Sequence, residues 1–218
     1  MDDNFKLRAA LKSNEELQNY IDNREKYLPE SVEAAVAELQ HRGVEFSDEE
    51  LTVIAEDMQA RRTLAEIGSN SFGLFTGEAK NSQVEDPDAP SFFSKGAILL
   101  FSIFFSVFVG SILMASNVRK SPNKDNANWV VPFGLGFNVL ISIISPQNIY
   151  LYVIFGIAAN CAGAYFMEIV FWNNYIGAAT LYKRRSVLIP LVIVLAITLP
   201  LSFLFYFYGK ELMVNPTK

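Results

Sequence analysis

Asn160 and Glu168 are polar side chains inside the apolar run Ile149–Trp172. A carboxylate in hydrocarbon is costly, so such residues are usually paired or functional. Two chemistries fit Glu168, which lies one turn inside the end of the run. It can be a proton or cation site with a pKa raised by burial, or an ion pair with Lys183, Arg184 or Arg185, which follow on the same side. Asn160 sits near the middle of the run. It is expected to hydrogen-bond a neighbouring helix, or to line a solute path together with Glu168. It also belongs to a face of small residues, Gly156, Ala159, Asn160 and Gly163, with Ala164 at its edge. Close backbone approach of this kind is how helices associate in lipid, within one bundle or between protomers.

Other candidates for chemistry are few. Cys161 is the single cysteine; with no Cys or His partner in any apolar run, it reads as a small packing residue and excludes an intramolecular disulfide. His41, the single histidine, stands beside Arg42 at a helix end, where the helix dipole accounts for it. There is no phosphate-cradling glycine loop, no H-E-x-x-H and no nucleophile elbow. No catalytic, cofactor-binding or metal-ligating residue is nominated, and the chain reads as non-enzymatic.

The elements that position these residues come from four long apolar runs, about 97–115, 129–145, 149–172 and 187–208. Each is close to the roughly 17–25 residues a helix needs to cross a bilayer, and backbone in hydrocarbon must bond within its own segment. Pro146-Gln147-Asn148 makes a tight turn between the second and third. Trp129, Trp172, Tyr175 and Tyr182 fall at one water boundary, and Tyr150, Tyr152, Tyr206 and Tyr208 at the other. Pro190 and Pro200 are expected to bend the last run. The second run, interrupted by Pro132, Gly134 and Gly136, is also compatible with a segment that does not cross fully.

Charge divides the chain. Residues 1–68 hold 16 acidic and 8 basic side chains, net −8; residues 69–95 are net −2 and residues 96–218 net +5. An acidic front excludes nucleic-acid binding, which needs cations in place of phosphate counterions. Four crossings put both termini on one side, and there the orientation rules conflict. Arg119, Lys120, Lys124, Lys183, Arg184 and Arg185 lie in the two opposite loops, which favours those loops as cytoplasmic. Export of a 95-residue tail with no cleavable signal peptide favours cytoplasmic termini instead. We take the termini as cytoplasmic.

The acidic front reads as short helices. Ser13-Asn14-Glu15-Glu16 and Ser47-Asp48-Glu49-Glu50 are capping boxes. Pro29 opens one helix and Gly43 closes it. The 34-residue spacing of the two boxes lacks the side-chain pattern of a helical repeat, so it reads as one cap chemistry used twice. Residues 69–95, with Gly, Ser, Asn, Asp and two prolines, read as a flexible tether.

Glu15-Glu16-Leu17-Gln18-Asn19-Tyr20-Ile21, then Tyr27 to Leu39, then Arg42-Gly43 resemble a short acidic helical module found ahead of membrane segments in uncharacterised bacterial multi-pass proteins. The resemblance covers about the first 60 residues. It implies a bacterial inner-membrane location and brings no activity.

The expected architecture is therefore all-α: a soluble helical module (1–68), a linker (69–95) and a four-helix transmembrane bundle (96–218). The expected role is interaction, regulation or scaffolding. The lipid bilayer, a protein partner and a second copy are the expected contacts. A small transporter or channel subunit using Asn160 and Glu168 is the alternative.

Overall fold

The computed structural model describes residues 3–68, 83–177 and 180–214. It is helical throughout apart from one two-stranded ribbon, and it divides into a unit Met1–Arg185 and a unit Ser186–Lys218. The division does not fall at residue 68: the acidic module and the helices up to Arg185 form one compact body.

In that body α1 (Asp3–Ala10), α2 (Asn14–Asp22), α3 (Pro29–His41) and α4 (Asp48–Gly68) make the module. Both capping boxes form. Glu16 N donates to Ser13 Oγ (3.2 Å) and Ser13 N to Glu16 Oε2 (2.8 Å), and Ser47 and Glu50 repeat the exchange. Each box satisfies helix-end N–H groups that have no intrahelical acceptor. Gly43, at φ +87°, lets the chain leave α3 by the left-handed turn that side chains resist. Leu17, Val32, Ala35, Leu39 and Met58 are completely or almost completely buried between the helices. Arg62 reaches from α4 to Glu30 and Glu33, and Arg24 to Asp57.

The expected flexible tether is ordered over its second half; residues 69–82 lie outside the described residues. From Gln83 onward the chain is a strap against the module. Asp86, wholly buried, accepts from Leu28 N through Oδ2 (3.0 Å) and from Asp88 N through Oδ1 (2.8 Å). Glu85 N donates to Lys26 O, Asp88 pairs with Arg8 at 2.9 Å, and Val84 and Ala89 close over Leu28. An aspartate that holds its own backbone two residues on is turn chemistry rather than disorder. The strap ends in β1 (Ser91–Phe92), which pairs in parallel with β2 (Lys183–Arg184); Ser91 is opposite Lys183 and Phe92 opposite Arg184.

Among the described residues two helices, not four, are long and apolar enough to cross a membrane: Lys124–Ile144 and Ile149–Gly177. The first expected span is instead two helices folded back on each other, α5 (Lys95–Phe104) and α6 (Val107–Val118). Ser106 starts α6 as its cap, with Val109 N donating to its hydroxyl, while Ser106 N itself reaches back to Phe101 O. Gly110 allows the backs of the two helices to meet; a β-carbon there would overlap Ser102 Oγ. At the base, Asn117 clasps Phe93 twice: Phe93 N donates to Oδ1 (2.9 Å) and Nδ2 donates to Phe93 O (2.8 Å). Ten and twelve residues rise about 15 and 18 Å, roughly half of a hydrocarbon core.

The second expected span, α7 (Ala127–Ile144), runs unbroken through Pro132, Gly134 and Gly136. Gly134 lies against Ser111, where a β-carbon would not fit. α8 (Ile149–Met167) starts on the Asn148 cap and continues as a wider π-helical turn over Glu168–Gly177. Burial across these elements is inverted relative to a water-soluble core. The hairpin residues Ile98, Ser102, Ser111 and Met114 are buried, whereas Ile143 is 76% and Ile154 65% exposed. Apolar exposure on this scale marks a face meant for something other than water.

In the second unit α9 (Leu188–Val214) is one helix; Pro190 falls in its first turn and Pro200 inside it. Proline in a first turn forfeits only an N–H with no intrahelical acceptor.

Candidate functional site

Chemistry in the first unit gathers where the strap, the hairpin base and the end of α8 meet. Glu168 does not pair with Lys183, Arg184 or Arg185. Its Oε1 lies 3.0 Å from Lys95 Nζ, with 14% and 12% of the two side chains exposed. The reason is the ribbon and the widened turn together. β2 pairing leaves Lys183 and Arg184 exposed, and Arg185 lies over the Phe93 ring (4.5 Å) while donating to Ser116 Oγ (3.0 Å). Glu168 thus meets the first residue of α5, whose N-terminal dipole also favours a carboxylate. Ile98, Leu99, Met114 and Ala164 wall the pair around a void of about 10 Å³, room for one water.

Aromatic rings close one side of this pair. Lys95 Nζ stands 5.5 Å from the Trp172 ring centre. Trp172, Phe92 and Tyr182 contact one another edge-on or tilted, with centres 5.4–6.1 Å apart. Burial pushes the Tyr182 hydroxyl up to about 12; hydrogen bonds from Gln83 and the Lys95 backbone oppose that shift. Trp172 Nε1 and Asn173 Oδ1 are buried without a hydrogen-bond partner among the described residues.

The small-residue face is split between uses. Gly163 presses on Val107 and the Phe137 ring, and Ala159 and Ala164 are buried, so these pack inside the unit. Gly156 has open space where a side chain would be. Asn160 is half-buried and its side chain makes no hydrogen bond among the described residues. It is not brought to Glu168: eight residues along one helix separate them by about 12 Å. Cys161 is a free, half-buried thiol, and His41 lies exposed in the last turn of α3.

No family model, curated protein or solved structure matches this chain. Its geometry must speak for itself. Among the described residues no group of three His, Cys, Asp or Glu side chains converges.

A second feature, not anticipated from sequence, lies on the module. An open groove of about 470 Å³ runs between α2 and the start of α4. Ile21, Phe46, Val53 and Ile54 line it together with the carboxylates Asp22, Glu49 and Glu50 and with Arg24, which is paired to Asp57. Val53 is 49% exposed there. The visible signal was Val53 beside Ile54, an apolar residue off the buried stripe of α4.

Proposed function

We propose that this is a non-enzymatic bacterial inner-membrane protein whose acidic module holds a partner protein at the membrane surface. The groove carries the reading, because apolar side chains beside three carboxylates, with Arg24 already held by Asp57, suit an apolar segment with basic flanks. The strap supports it as well, since a module clamped by Asp86 and Asp88 presents that groove in a fixed direction.

The same reading places the module and both basic loops in the cytoplasm. A hairpin that re-enters instead of crossing returns the chain to its side of entry, so Asn117–Asn128 joins the module's side. The β1–β2 pairing supports the same side for Asn173–Arg185. The positive-inside rule and the difficulty of exporting the module then agree. With the first run folded back, a crossing by α9 sends the C-terminus to the far side. A solute path through Asn160 and Glu168 has less support, since Glu168 is taken up by Lys95 behind apolar walls.

The test uses the full chain with a photo-crosslinking side chain at Val53 or, as a control, at Leu64, which is similarly exposed. The expected outcome in intact cells is a discrete adduct from Val53 alone, weakened several-fold by the added substitutions Asp22→Lys and Glu49→Lys. Equal crosslinking from both positions overturns the groove.

A further inference from the structure

We propose that the cytoplasmic boundary of this protein binds the headgroup of an anionic phospholipid between Lys120 and Lys183. The two lysines are 63 positions apart yet flank the same residue, from opposite edges of β1. Lys120 Nζ donates to Ser91 O (3.4 Å), and Lys183 is the β-pairing partner of Ser91. Arg185 fixes the arrangement from behind, through Ser116, one helical turn before Lys120.

Arg119, Lys124 and Arg184 are exposed on the same two stretches, and none of these five exposed cations is in an ion pair among the described residues. Asp125 is the one carboxylate in 117–128 and 173–186. Cations gathered without counter-charge repel one another, and a phosphodiester anion relieves that repulsion. Position decides which anion. Trp129, 69% exposed, begins α7 five residues after Lys124, and Tyr175 ends the widened turn whose carbonyl holds Asn123 Nδ2 (3.1 Å). Such aromatics sit at headgroup depth, beside the exposed apolar faces that acyl chains would cover. A soluble polyanion meets the acidic module instead, which repels it.

This inference rests on the membrane reading, and the experiment separates the two. The full chain, purified in detergent, is mixed with equal amounts of phosphatidylglycerol and phosphatidylcholine and weighed intact by native mass spectrometry. The expected result is phosphatidylglycerol retained at least five-fold over phosphatidylcholine. Lys120→Gln with Lys183→Gln is expected to bring that ratio to about one, and Lys120→Arg with Lys183→Arg to preserve it. Lys6→Gln with Lys26→Gln, the same charge change on the module, is expected to leave it unchanged. Equal retention of both lipids by the unaltered chain, or a preference that survives the double glutamine change, overturns the site while leaving the membrane reading intact. Retention of neither lipid overturns both.

Discussion

Lys95 and Glu168 show how a buried charge is tolerated between these helices. With about an eighth of each side chain exposed, removing one partner strands the other among Ile98, Leu99 and Met114. Broken buried pairs cost about 3–5 kcal/mol, whereas replacing both partners by apolar groups is often close to neutral. Lys95→Met and Glu168→Met are each expected to lower the unfolding midpoint in detergent clearly. Lys95→Met with Glu168→Met should be less destabilised than either single change. Additive losses in that double-mutant cycle would mean that the two groups do not interact.

Tyr182 gives a separate prediction in alkali. Its pKa is about 12 in the folded chain and about 10 once unfolded, so the folded state holds the phenol proton more tightly. That stabilisation is complete below pH ~10 and is lost as pH rises toward 12, amounting to about 2–3 kcal/mol. Tyr182→Phe should flatten the fall in unfolding midpoint between pH 10 and 12. Parallel curves for the two proteins would sink the idea. The sequence marked Glu168 as a paired acid but named the wrong cations, because nearness along the chain says nothing of a parallel ribbon made by residues 91 and 183. Both capping boxes, Pro29 and Gly43 were legible because their chemistry is local.

At the scale of elements, the hairpin is the main departure from a pattern-based reading. Ala97–Ala115 is apolar almost throughout, and hydropathy cannot distinguish one 19-residue helix from two half-length ones. The information was in Ser102, Ser106 and Gly110, a contact, a cap and a gap that read as ordinary small residues until the helices are set side by side. Pro132 and the glycines of α7 left open a run that does not cross fully, yet the expected helix forms unbroken: Gly134 is a contact with Ser111 rather than a break. Single cysteines in a Cys161→Ser background test the fold-back. Asn23→Cys and Arg119→Cys should react with an impermeant maleimide from the same side of inverted vesicles, and Gln147→Cys from the other. If Arg119→Cys and Asn23→Cys label from opposite sides, Lys95–Val118 crosses the membrane.

For the whole molecule, the strap turns what reads as a tether into a joint. Asp86, Asp88 and Glu85 hold the module through Leu28, Arg8 and Lys26, and the same stretch continues into β1. A partner pulling on the groove therefore acts on a stiff connection that ends at the hairpin base. The strand β2 that completes this joint leaves the ribosome some ninety residues after β1. Newly made chains thus pass through a stage in which α7 and α8 exist while Ser91 and Phe92 still lack their pairing strand. Assembly of this protein finishes at its middle, and any chaperone that attends it has an unpaired edge to guard until Lys183 and Arg184 arrive.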